Sequence, residues 1–368
     1  MNFTIHRTPL WEALQKVQAV VERKNTVPIL GNILCVVENN ILFLSATDLE
    51  IGIQVTLPVE MSTNGKVTLS SKHFVEIVKE LPDKPLQINK KDNNWVEILC
   101  GKAKFNIVSM PAEDYPALPE FSEKVYIDAR AESLLDMIHR TQYAVSTDSS
   151  RYHLNGVFFE QLENGLSRMT ATDGYRLSFV DNEVFLAPPD LKRGVIIPKK
   201  GLAEIYRLLS LGGSTVGLSF ERGNIFVKHN DSYLFIRLIE GEYPDCRVFL
   251  SHTMDKVIRM DRETITSAIK RVSLLANEKS RSIKFSVQPN VLVITSNNPE
   301  MGEAREEIDI EYTGDPIETG FNSKYFLDCL MVQKSEKMEL QLKDRLNPGI
   351  IKGLNEQNHT YVLMPMRV

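Results

Sequence analysis

The chain has no run of apolar residues approaching the roughly 18 that a membrane-crossing helix requires. Its first residues also lack the basic start and continuous apolar stretch of a secretory leader. The expected location is therefore the cytoplasm, with no membrane partner. Cysteine is scarce, with only Cys35, Cys100, Cys246 and Cys329 present, far apart and outside any paired motif. Such spacing predicts reduced, packed thiols and argues against a disulfide framework or a zinc site. No Gly-x-x-x-x-Gly-Lys-Ser/Thr loop, dinucleotide glycine pattern or His-Glu-x-x-His helix occurs, and the histidines are scattered singly. The expectation is no metal, no cofactor and no catalytic residue.

What the chain does have is an order of elements that appears three times. An amphipathic helix is followed by strands closing on a polar turn, then a Lys-led second helix, then more strands. The 368 residues divide into blocks of roughly 120 to 125, near the size of a small domain. The expected domains are residues 1–125, 126–251 and 252–368. Each is α+β, with two helices packed on antiparallel sheets whose edge strands can pair with those of the neighbouring block. The second helices open at Ser71-Lys72-His73-Phe74, Lys199-Lys200-Gly201-Leu202 and Ser323-Lys324-Tyr325-Phe326. Ala46-Thr47-Asp48 and Ala171-Thr172-Asp173 end matching strands, and Tyr115-Pro116 and Tyr243-Pro244 recur 128 positions apart.

A formal net charge of −5 weighs against nucleic acid unless the basic groups are segregated. They are: Lys16, Arg23, Lys24, Arg140, Arg151, Lys270, Arg271, Lys279 and Arg281 lie opposite the apolar stripes of the first helices or in the following turns. Lys72, Lys199, Lys200 and Lys324 join them from the second helices. Singly, each reads as solvated surface charge; repetition at equivalent places in three blocks points to one basic face. Without a recognition-helix or zinc-finger motif, contact with the phosphate backbone independent of sequence is expected.

The blocks are not equal. Ala171-Thr172-Asp173-Gly174-Tyr175-Arg176 has a Gly and an Arg that its counterpart Ala46-Thr47-Asp48-Leu49-Glu50 lacks. A strand-ending turn explains Asp173 and Gly174 on structural grounds; the asymmetry marks a site. The apolar segment Thr360 to Val368 runs to the last residue, where chain ends are usually polar. It fits either a core strand or a pliable, Met-lined groove. A hydrolase gathering Asp48 and Asp173 around a metal is the competing reading, but no second acid pair suits two-metal chemistry. A scaffold without DNA contact is another.

Over its full length the chain resembles the bacterial sliding clamp family, the beta subunit of DNA polymerase III. The resemblance rests on Thr26-Val27-Pro28-Ile29-Leu30-Gly31-Asn32, Arg151-Tyr152-His153-Leu154-Asn155-Gly156, Ala171 to Leu177, Tyr243-Pro244-Asp245, Asn277-Glu278-Lys279 and Met364-Pro365-Met366-Arg367. It implies a non-catalytic ring of two head-to-tail chains around double-stranded DNA. It also implies a clamp loader, and a replicative DNA polymerase and other proteins held through Gln-Leu-x-Leu-Phe type peptides. Lys24, Tyr152 and His153 match positions that approach DNA in the family; Lys72, Lys199 and Lys200 extend that set. The family's peptide pocket maps to Leu154, Thr172, Gly174, Tyr175, Arg176 and Leu177, with Pro244, Arg247, Val248 and Pro348. Val362, Met364, Pro365, Met366 and Arg367 complete it. Tyr175 stands where many members have His, and Pro348 replaces a small polar residue. At the subunit junction the resemblance sets Phe105 and Ile107 against Leu274 and Leu275 of the other chain. Lys102 and Lys104 near Phe105, and Glu300, Glu303, Glu306 and Glu307, supply complementary charge for such a junction.

Overall fold

The computed structural model describes residues 1–21, 27–121, 124–185, 187, 189, 191, 193–221, 223–250 and 254–367, with Leu250 described by its backbone. Helices α1 (Arg7–Gln18), α3 (Ala131–Thr141) and α5 (Arg262–Val272) are the first helices of the three repeats; α2 (Ser71–Glu80), α4 (Lys199–Leu209) and α6 (Ser323–Val332) are the second. Apolar residues at helical spacing face inward. In α1 they are Leu10, Ala13, Leu14 and Val17, and in α5 Ile265, Ala268, Ile269 and Val272. Each second helix follows a strand directly: Gly65–Ser70, Val195–Pro198 or Ile317–Asn322. For α6 the stop-start is set by Asn322, whose side chain accepts the amides of Lys324 and Tyr325 at 3.0 and 3.2 Å.

Contacts group the chain into two compact units. One comprises residues 1–131, 185–187 and 200–238; the other 132–184, 188–199 and 239–368. Each half of the middle block is knitted to a neighbouring block by strand pairing. In the first unit Ser232–Arg237 pairs antiparallel with Ile51–Pro58, Ser232 opposite Val55 and Ile236 opposite Ile51. That ladder makes one continuous 13-stranded sheet. In the second unit Arg176–Asn182 pairs with His359–Leu363, Arg176 opposite Leu363 and Val180 opposite His359. An 8-stranded sheet results, accompanied by a 4-stranded sheet of Gly302–Asp309, Val291–Asn298, Ser282–Gln288 and Ile317–Asn322. Joining edges in this way satisfies backbone groups that would otherwise stay open.

The core of the second unit is aromatic. Phe285, Phe321 and Phe326 meet with ring centroids 5.3 to 5.8 Å apart, and the buried Tyr361 donates its hydroxyl to the Tyr325 carbonyl at 2.9 Å. One basic residue departs from the expected charged face. Arg140 is only 3 % exposed, held by Asp136 at 3.0 Å and by Glu356. Two carboxylates on opposite sides give its guanidinium the partners that burial demands.

Candidate functional site

The repeated Thr-Asp turns have one construction. In the first, Thr47 Oγ1 donates to the Ile51 carbonyl at 2.8 Å and Asp48 Oδ1 accepts the amides of Glu50 and Ile51. The Thr47 amide donates to the Tyr115 hydroxyl at 3.2 Å. In the second, Thr172 Oγ1 donates to the Arg176 carbonyl at 2.6 Å, Asp173 Oδ1 accepts the amides of Tyr175 and Arg176, and the Thr172 amide donates to the Tyr243 hydroxyl at 3.0 Å. The recurring Tyr-Pro pairs are thus the far ends of the recurring turns. Both Asp residues spend an oxygen on backbone amides. Among the described residues no group of three His, Cys, Asp or Glu converges as ligands.

The middle-block turn carries the additional residues. Gly174 has φ +90°, and a Cβ there would lie 2.8 Å from Arg151 Nη1, so glycine both allows the turn and lets Arg151 cross it. Arg176 is buried beside the turn. Its guanidinium reaches Asp173 at 3.0 Å, Asp328 at 2.6 Å and the Tyr143 carbonyl at 2.5 Å, and lies 4.2 Å from the Tyr325 ring centroid. Asp328 and Tyr325 belong to α6, so Arg176 ties the middle block to the third. Burial is the largest single influence and lowers its pKa, but Tyr361, the Asp328 hydrogen bond and the charges of Asp173 and Asp328 together hold it above the usual arginine value.

Against this turn lies an apolar cavity of about 220 Å³. Leu154, Thr172, Gly174, Arg176 and Leu177 line it from one side, and Pro244, Val362 and Met364 from the other. Asp245, Cys246 and Phe249 complete the wall, three residues that the sequence did not assign to a cavity. They come from the segment after Tyr243-Pro244, which ends in the short helical turn Cys246–Leu250. Burial and the adjacent Asp245 raise the Cys246 thiol to about 11, so it stays protonated and packs as an apolar group. The terminal segment is fixed by backbone bonds: the Met364 amide to the Tyr175 carbonyl at 2.9 Å and the Met366 amide to the Gly320 carbonyl at 2.8 Å.

The other expected pocket residues are spread around it. Met364, Pro365, Met366 and Arg367 line an adjoining cavity of about 650 Å³ with Gly320 and Leu346. Tyr175, 59 % exposed, borders a polar cavity of about 460 Å³ with Arg151, Lys199 and Lys324. Burial, followed by the charges of Arg176 and Lys324, lowers the Lys199 pKa, while Asp328 opposes the shift. Arg247 is ion-paired with Asp245 at 2.8 Å and lines another cavity, while Val248 is exposed and Pro348 buried ahead of strand Gly349–Gly353.

Of the residues expected at DNA, Lys24 lies outside the described residues. Lys72 is exposed, as is Tyr152, whose ring meets that of His153 at 5.9 Å. Lys200 is ion-paired with Asp48, an engagement the sequence did not reveal. At the expected junction Phe105 and Leu274 are exposed, and Ile107 and Leu275 partly so. Strand Ala103–Met110 bonds Trp95–Cys100 on one side but, among the described residues, meets Gly65–Ser70 only through Ser109 and Met110, so the rest of that edge has no strand partner there. Gly302–Asp309 is likewise the outer strand of its sheet. The complementary charges are partly engaged already: Lys104 with Glu97, Glu306 with Arg271 and Glu307 with Arg305.

The chain matches the family described as DNA polymerase III beta subunit in all three of its parts. The N-terminal domain covers residues 1–119, the central domain 129–245 and the C-terminal domain 248–367. It is 31 % identical to the beta sliding clamp of Vibrio cholerae and 34 % identical to that of Caulobacter vibrioides, each over 100 % of both chains. The crystal structure of the DNA polymerase III subunit beta from Pseudomonas aeruginosa superimposes with a TM-score of 0.95 at 33 % identity, covering 100 % of both chains. The chain therefore belongs to the DNA polymerase III beta subunit family, the beta sliding clamps, and has their three-domain clamp fold.

Proposed function

We propose that this sliding clamp closes as a head-to-tail dimer around duplex DNA and slides on it. In this reading it holds the replicative polymerase and other replication proteins by short Gln-Leu-x-Leu-Phe type peptides, and a clamp loader opens it. The observation that carries the docking part is the apolar cavity between the Thr172–Arg176 turn, the Pro244–Phe249 segment and the terminal strand. Its walls suit Leu and Phe side chains, and Met364 adapts its shape to them. A fluorescent peptide of that type is expected to bind saturably. Deleting Met364 to Val368 removes one wall and should weaken binding more than about tenfold, the loss of a central contact. Equal anisotropy curves for the two chains would refute the site.

For the DNA part, Lys72, Lys199 and Lys200 with Tyr152 and His153 supply contacts to the phosphate backbone without base readout. A closed ring keeps its DNA by topology, so an acidic protein with weak individual contacts suffices. A clamp on DNA works where the DNA is, at the cytoplasmic nucleoid; no described helix is long and apolar enough to cross a membrane.

Ring closure is assigned to the open edges of Ala103–Met110 and Gly302–Asp309, with Leu274 and Leu275 packing on Phe105 and Ile107. The Leu274→Ala, Leu275→Ala double variant should raise the dimer dissociation constant by about tenfold or more. Dimer mass that persists unchanged on sub-micromolar dilution would contradict the assignment.

A further inference from the structure

A second cavity, of about 260 Å³, lies on the same sheet face as the apolar one and shares Pro244, Asp245 and Cys246 with it. Its floor follows the strand register. Phe158, Thr170 and Phe179 stand side by side in one row, and Glu160, Arg168 and Asp181 in the next. Both arginines here are occupied: Arg168 grips Asp181 at 2.6 and 2.7 Å, and Arg247 grips Asp245 at 2.8 Å through both nitrogens. Glu160 is the surplus charge. It is half-buried and, although the charges of Arg168 and Arg247 reach it, its carboxylate makes no direct hydrogen bond or ion pair among the described residues.

We propose that this cavity is a subsite for a basic side chain flanking the apolar motif of a docked peptide, with Glu160 as its carboxylate. The inference rests on the docking function proposed above. An acidic flank would meet Glu160 and find no free guanidinium. An apolar flank would strip water from Glu160 without replacing it. A lysine or arginine satisfies the carboxylate and lays its methylenes on Phe158 and Phe179. Burial already raises the Glu160 carboxyl pKa, a shift that a bound cation would reverse.

Peptides sharing one motif and carrying Lys, Ala or Glu beside it, on either flank, provide the test by anisotropy. The wild-type chain should prefer Lys over Ala by about fivefold on one flank, with the preference shrinking as salt rises. Glu160→Gln should bind all three alike. Equal affinities in the wild type, or a preference that survives in Glu160→Gln, would overturn the subsite and leave the docking cavity standing. Failure of every peptide to bind would overturn the docking reading and the subsite with it.

Discussion

An Arg176→Met variant is expected to lose about 3–5 kcal/mol of stability, the cost of removing one member of a buried charge network. Arg176 is 7 % exposed and its side chain serves two carboxylates, a carbonyl and an aromatic face. Methionine fills similar space but strands Asp173 and Asp328, at 13 % and 23 % side-chain exposure, without their cation. The damage should be local to the seam between the middle and third blocks, because Asp173 also shapes the turn and Asp328 sits on α6. Urea unfolding should show the loss as a lower midpoint. Arg176→Lys should recover only part of it, since an ammonium cannot reach both acids and the Tyr143 carbonyl together. A midpoint within experimental error of the wild type would show that the seam is held by its strand pairing alone. The same substitution opens the apolar cavity wall, so peptide affinity should fall with stability.

Acid should weaken the same unit through His359. The ring is fully buried, accepting from Gln333 Nε2 at 2.9 Å through Nδ1 and facing the Ser178 hydroxyl at 3.0 Å with Nε2; Ser178 in turn donates to the Arg140 carbonyl at 2.6 Å. Desolvation first, and the Arg140 charge second, depress its pKa from 6.5 to about 3, with Asp136 opposing. Because the folded value is the lower one, the unfolded chain binds a proton that the folded chain refuses throughout that window. The stability is complete above pH 6.5 and drains as pH falls, by about 3 kcal/mol at about pH 4. A His359→Gln variant, lacking the titration, should show a flatter stability profile between these limits. Parallel profiles for the two proteins would assign the acid sensitivity to carboxylates instead.

Both networks bear on how much the sequence discloses. Helical stripes such as Leu10, Ala13, Leu14 and Val17 are legible because periodicity alone decides which face is buried. The recurring Thr-Asp turns and Tyr-Pro pairs are legible as repeats, yet only the coordinates show that Tyr115 and Tyr243 hold the turns' amides. The extra Gly174 and Arg176 are legible as an asymmetry between blocks, and both line the apolar cavity. Arg140 misleads, since its partner Glu356 lies 216 positions away and nothing local announces it. Lys200 and Asp48 meet across 152 positions for the same reason. Asp245, Cys246 and Phe249 enter the cavity wall from the segment after Tyr243-Pro244, where no periodicity or motif announces a wall.

A ring that slides holds DNA by topology rather than by contacts, so opening the DNA circle should release it. The protein, loaded by a clamp loader onto nicked circular DNA, should remain with the circle through gel filtration and depart once a restriction enzyme makes the circle linear. Retention on the linear molecule, or no retention on the circle, would contradict a sliding ring.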